Sequence, residues 1–211
     1  MKEIVESYFR QRSLVNHQLA SYNDCIPLGD GSLSRMEKIV RSIRIGEDEP
    51  IEDDEGGMIK LDVLDKEIIV RMKNIRLGKP TVREANGAEH PATPMETRIR
   101  KLTYFSPVYM DFKIVRDDKP LPDEEESVHI GNLPIMVRSA RCNLHAHNAD
   151  ERPLHPETSD DDAATYRKLL EKAGEDPLDP GGYFIINGTE RVLISMEDLA
   201  PNRVTVEKNK K

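Results

Sequence analysis

The sequence predicts an α+β fold: a mostly antiparallel sheet with N-terminal helices and one late helix. Three observations carry this expectation. Apolar residues recur at helical spacing in residues 1–46, they alternate with period two between residues 58 and 137, and a capped helical stretch near residue 160 leads into a glycine-rich hairpin signal. Helices and strands are thus segregated along the chain rather than alternating as βαβ units, which favours α+β over a doubly wound sheet.

Within the helical segment 1–46, the pattern over residues 2–24 fits two short helices, with Ile4 and Tyr8 on one face. Val15, Leu19 and Tyr22 form a second stripe after an expected N-cap at Ser13. The stretch "SRMEKIVRSIRIG" places Ser34 and Glu37 in capping-box register, Met36, Ile39, Val40 and Ile43 on one face, and Gly46 as the stop. Residues 47–57 form an acidic loop with seven carboxylates and breakers at Pro50, Gly56 and Gly57; it lacks the DxDxDG spacing of a calcium loop.

From residue 58 to 211 the chain is read as one unit. Ile59, Leu61 and Val63, then Ile68, Val70 and Met72, then Val108, Met110, Phe112 and Ile114 alternate as half-buried strands. "LGKPTVREANGAEHPATPMETR" reads as a long connection, and "RDDKPLPDEEES" as an acidic turn joining two strands. Ser159 caps the late helix, Asp160–Asp162 complement its dipole, Ala163, Tyr166, Leu169, Leu170 and Ala173 make its apolar face, and Gly174 ends it.

Composition limits the function. The 211 residues carry a formal charge of −8 with 33% charged residues, so any grip on nucleic acid must be local rather than global. Only 37% are hydrophobic and 5% aromatic, a thin core for this length that suits a piece supported by partners. No apolar run reaches the roughly 20 residues of a membrane span and no signal-peptide core is present, so no membrane partner and a cytoplasmic location are expected. Cys25 and Cys142 are far apart and read as reduced, buried thiols.

Candidate chemistry is sparse. Cys142, His145, His147 and His155 fit no zinc spacing, which argues against a metal-dependent hydrolase and leaves no metal or cofactor expected in this chain. Ser139 and Ser195 lack a GxSxG elbow. "DPGGYFIINGTERVLI" is not a P-loop, because Gly181 and Gly182 lead into a strand. Asp179, Pro180, Gly181 and Gly182 have turn chemistry instead, and Asn187-Gly188 signals a tight hairpin between strands Tyr183–Ile186 and about Arg191–Ile194. Arg191 and Arg203, with Lys208, Lys210 and Lys211, offer a modest basic edge.

Four blocks, "YFRQRSLVNHQLASYNDCI", "RIRKLTYFSPVYMDF", "IGNLPIMVRSARCNL" and "DPGGYFIINGTERVLISMEDLAPNRVTVE", stand in order along nearly the whole chain. In them the sequence resembles the N-terminal part of the second-largest subunit of multisubunit DNA-directed RNA polymerases, of archaeal type because Met196 stands where other relatives usually carry Gln. The resemblance implies the first segment of a protrusion domain on one wall of the DNA cleft, truncated before a lobe insertion and therefore incomplete. It implies a non-catalytic role: the Mg²⁺ of nucleotidyl transfer is held by the largest subunit, and this chain is inactive alone. Implied partners are the largest subunit, the remainder of the second-largest subunit, DNA and RNA in the assembled enzyme, and initiation factors. Arg191, Ser195, Met196 and Arg203 become the nucleic-acid-proximal residues. The competing expectation is a free-standing protein-interaction module that binds a transcription factor.

Overall fold

Alternation of apolar residues on long strands builds the centre of the structure, a computed structural model that describes residues 3–5, 7, 14–29, 31–46, 56–63, 66–116, 119–120, 126–145, 167–168, 170–199, 204 and 206. Strands β1 (Arg44–Ile45), β2 (Gly57–Val63), β3 (Lys66–Leu77), β6 (Phe105–Arg116), β7 (Lys119–Pro120) and β8 (Glu126–Pro134) form one sheet. Its order is β1-β2-β3-β6-β7, with β8 also paired to β6. All pairings are antiparallel except β1 with β2, as expected for strands joined by hairpins. The predicted acidic turn does join two paired strands, β6 and β8.

The register Met72↔Phe112, Ile75↔Met110 and Leu77↔Val108 puts these side chains on one face, with a bulge between Met72 and Ile75 keeping Ile75 and Leu77 inward. Met72, Ile75, Leu77, Val108 and Met110 are buried there with Tyr104, Ile135, Val137 and Ile185. The stripe fades toward the far end, where Ile114 is 46% and Leu61 45% exposed. The predicted inward face is therefore corrected at Ile59 and Leu61: Ile59 is only partly buried against the core and Leu61 is exposed, while Met58 is buried; the Val63 side chain lies outside those described. The cause is the limited cover over β2. Helix α2 (Arg35–Ser42) sits over its first residues so closely that a Cβ on Gly57 would lie 2.2 Å from the Val40 carbonyl oxygen.

Helix α2 starts as the sequence predicts, with a capping box: the Ser34 side chain accepts from the Glu37 N–H, and the Ser34 N–H donates to Glu37. It ends at Ser42, four residues before Gly46, and Ile39 is 62% exposed, so only Met36, Val40 and Ile43 of the expected stripe face the core. Helix α1 (Asn16–Cys25) is capped by Val15 with no side-chain bond; Ser13 lies outside the described residues. Cys142 is buried but Cys25 only half-buried, and neither forms a disulfide.

The long connection after β3 is not irregular. It holds a small hairpin of β4 (Thr81–Arg83) and β5 (Glu89–Pro91), then helix α3 (Pro94–Ile99), whose N-cap Thr93 accepts from the Glu96 N–H with Pro94 in the first turn. Residues 170–172 are helical and Gly174 takes a left-handed φ of 73°, so the predicted stop of the late helix holds; its predicted start, 159–166, lies outside the described residues. The acidic residues 47–55 also lie outside them, whereas Gly57 belongs to β2 rather than to a loop. Among the described residues no helix is long and apolar enough to cross a membrane.

Fully buried Tyr104 ties these parts together. Its phenol donates to Cys142 Sγ at 3.5 Å and accepts from the Asn143 N–H at 2.9 Å, and burial pushes its pKa well above the ordinary value, so it remains a neutral donor. The Tyr104→Phe change leaves the Asn143 N–H without this acceptor and is expected to cost about 1–3 kcal/mol. Urea unfolding would show a lower midpoint; an unchanged one would contradict this assignment.

Candidate nucleic-acid interface

Two strands of three residues, β9 (Phe184–Ile186) and β10 (Thr189–Arg191), form the terminal hairpin. Asn187 and Gly188 both have positive φ, 51° and 74°, the backbone a two-residue type I′ turn requires. This tight turn starts β10 at Thr189 and ends it opposite Phe184. The expected strand Arg191–Ile194 is thereby corrected, and residues 192–199 continue without secondary structure. The Gly188 N–H donates to the Leu102 carbonyl, and a Cβ there would come within 2.7 Å of Lys101 Cα.

The preceding turn works as the sequence predicts. Asp179 accepts from the Gly181 N–H at 2.9 Å, Pro180 stands between them, and Gly181 and Gly182 both take left-handed φ. These glycines also allow close approach: a Cβ on Gly181 would fall 2.4 Å from the Val137 carbonyl oxygen, and one on Gly182 2.9 Å from Val15 Cβ.

Two groups brace the hairpin from either side. Helix α1 supplies Tyr22, which meets Phe184 edge-on at 5.5 Å and donates to the Pro134 carbonyl at 2.7 Å, and Gln18, whose amide reaches the Leu193 carbonyl and Ser195 Oγ. From α3, Arg98 donates to Glu175 at 3.2 Å and Glu190 at 2.9 Å, lies 3.8 Å from Asp179, and donates to the Tyr183 hydroxyl, which in turn donates to Asp179. Glu175 is buried and also accepts from the Met95 N–H. Burial opposes the charge on Arg98, but its hydroxyl and carboxylate neighbours outweigh that and hold it protonated.

What the bracing presents is the end of β10 and the segment beyond. Arg191, Ser195 and Met196 are all exposed, Met196 by 87% and its neighbour Ile194 by 90%. The structure therefore brings these three predicted residues onto one stretch; Arg203, Lys208, Lys210 and Lys211 lie outside the described residues. Sequence reasoning missed Gln18, Arg98, Glu175 and Tyr183. A signal for Arg98 was present in Thr93-Pro94-Met95-Glu96, an N-cap followed by Pro and an acid at the third position, which marks a helix start.

The metal question can be tested on the donors present. Cys142 is buried beneath Tyr104, and His147 and His155 lie outside the described residues. Among the described residues, Glu84, His90 and Glu96 bring three ligand atoms within 4.8 Å of one another. Arg100 already takes both carboxylates, at 2.6 and 2.7 Å, so this is an ion-pair cluster joining the β4–β5 hairpin to α3 and a poor fit for a hard cation.

With this architecture in place, the class of the protein follows from its sequence kin. The chain matches the family model described as RNA polymerase beta subunit over residues 13–166 and 162–203, and it belongs to that family. It is 38% identical over 210 residues, 99% of its length, to the DNA-directed RNA polymerase subunit Rpo2N of Methanocaldococcus jannaschii, and covers 34% of that protein. It is likewise 38% identical to Rpo2N of Halobacterium salinarum, covering 34%, and 37% identical to subunit Rpo2 of Saccharolobus shibatae, covering 15%. The chain thus spans about a third or less of these relatives, and corresponds to the N-terminal part of an archaeal second subunit.

Two outcomes follow from the ion pairs. Arg98→Met strands the buried Glu175 carboxylate and is expected to destabilise by about 3 kcal/mol, read by denaturant unfolding; a loss no larger than for an exposed arginine would contradict this. The hydrogen bond from Arg100 draws the Glu84 carboxyl below its ordinary range; at Glu96 burial works upward, but Arg100 and His90 outweigh it. Depressed folded values mean the stabilisation is complete at neutral pH and lost as pH falls through them. Arg100→Gln should therefore lower stability at pH 7, with the difference shrinking on acidification; a pH-independent difference would contradict the assignment.

Proposed function

We propose that this chain is a non-catalytic part of a DNA-directed RNA polymerase, the first segment of a protrusion domain that forms one wall of the DNA cleft. The observation that carries the reading is the family match running through the hairpin to residue 203, in a chain 38% identical to polymerase subunits along 99% of its length. Its partners in this reading are the largest subunit, the remainder of the second-largest subunit, the nucleic acid of the assembled enzyme and initiation factors, in the cytoplasm. The largest subunit would hold the Mg²⁺ that activates the RNA 3′-hydroxyl and stabilises the leaving pyrophosphate. This chain would contribute shape and local charge.

The braced hairpin supports that role. Arg191 closes β10 on the surface and offers a cation for a phosphate, while Ser195 offers a hydroxyl and Met196 an apolar contact on the segment that Gln18 reaches beyond the braced hairpin. With a formal charge of −8, the chain can grip nucleic acid only through such local cations. Arg203 is assigned the same role as part of the basic edge it is expected to form with Arg191, Lys208, Lys210 and Lys211.

In assembled polymerase, Arg191→Ala should weaken retention of a DNA–RNA scaffold equally across sequences and reduce the slope of log K against log salt by about 0.7–0.9. Retention measured across a salt series checks this, and an unchanged slope would remove Arg191 from the interface.

A further inference from the structure

Segment 192–199 is exposed, carries the apolar residues Val192, Leu193, Ile194, Met196 and Leu199, and follows a strand of only three residues, so its backbone has few means of holding one course. Among the described residues, the hydrogen bonds that join it to another element come from one side chain. Gln18 Nε2 donates to the Leu193 carbonyl at 2.8 Å and lies 3.4 Å from Ser195 Oγ. A carbonyl can only accept, so the nitrogen end of the amide must face the segment.

Gln18 is itself held. It stands in the first turn of α1, its N–H donating to the Val15 carbonyl, and the same helix is anchored one turn before by Val15 against Gly182 and one turn after by Tyr22 against Phe184 and Pro134. The amide therefore projects from a helix already fixed to the hairpin, and reaches alternate positions, 193 and 195, of the chain that leaves it. Spanning residues two apart pins the segment in an extended course and sets which side Ser195 and Met196 present.

We infer that Gln18 is a positioning residue, which fixes the direction of the Leu193–Met196 segment and thereby the presentation of Ser195 and Met196. The importance of that presentation for nucleic acid rests on the function proposed above; the positioning itself does not.

The test places a spin label at position 196, through an unnatural residue, in assembled polymerase. Gln18→Ala removes the amide, Gln18→Glu keeps its shape without the donor, and Gln18→Lys restores a donor of similar reach. The mobile fraction of the label should rise about threefold in the Ala and Glu variants, the effect of losing one ordinary hydrogen bond, and return toward the native value in the Lys variant. Native spectra in the Ala and Glu variants, or full order retained by Glu, would overturn the inference. A photoreactive residue at the same position separates the two claims: failure of the native enzyme to crosslink to DNA or RNA would count against the nucleic-acid reading, while the spectra still decide the role of Gln18.

Discussion

The structure depends on satisfying buried backbone where three segments meet without forming a regular sheet. The Tyr104 N–H donates to the Ile185 carbonyl, the Ile135 N–H to the Tyr104 carbonyl, the Val137 N–H to the Tyr183 carbonyl, and the Gly182 N–H to the Val137 carbonyl, all between 2.8 and 3.0 Å. Tyr104, Ile135, Val137 and Ile185 are fully buried, so any of these groups left unpaired would cost the desolvation of a peptide group with nothing in return. The tail of β8, the head of β6 and the start of β9 are thus locked together. The glycines at 181 and 182 are required because side chains there would occupy the space of Val137, Arg138 and Val15.

Two elements outside that lock, α1 and α3, hold the hairpin of β9 and β10. A hairpin with two three-residue strands is not stable alone. Helix α1 braces it by ring contact and amide, and Arg98 does so with a cluster of carboxylates and a tyrosine hydroxyl. The result is a small apolar core supporting an exposed apolar segment, a combination costly for an isolated protein but natural for a surface covered in an assembly. The thin hydrophobic composition and the exposed run from Val192 to Leu199 have the same origin in this view.

Features fixed by local chemistry were legible in the sequence. The capping box at Ser34, the positive-φ turn at Asn187-Gly188, the Asp179 turn and the alternation of β6 from Val108 to Phe112 all needed only neighbouring residues to be read. On β3, by contrast, only Met72 of the expected Ile68–Val70–Met72 face is buried, and Ile69 on the opposite face is buried instead of Ile68 and Val70. What escaped depends on distance. Ile39 and Leu61 are apolar and in register, yet exposed, because no described element covers them fully. The extent of β10 was misplaced because a two-residue turn leaves no slack before pairing. Arg98 and Gln18 act on residues 77–177 positions away, which no periodicity can show. The residues expected to lie near nucleic acid came from the resemblance, and the structure adds that Arg191, Ser195 and Met196 share one exposed stretch.

The most direct measurement is a tagged purification of this chain from native extract at moderate salt, followed by mass spectrometry of what accompanies it. The account predicts recovery of the largest polymerase subunit together with the remainder of the second-largest one. Recovery of neither, with this chain folded and in solution, would contradict a role as an assembled wall of the cleft.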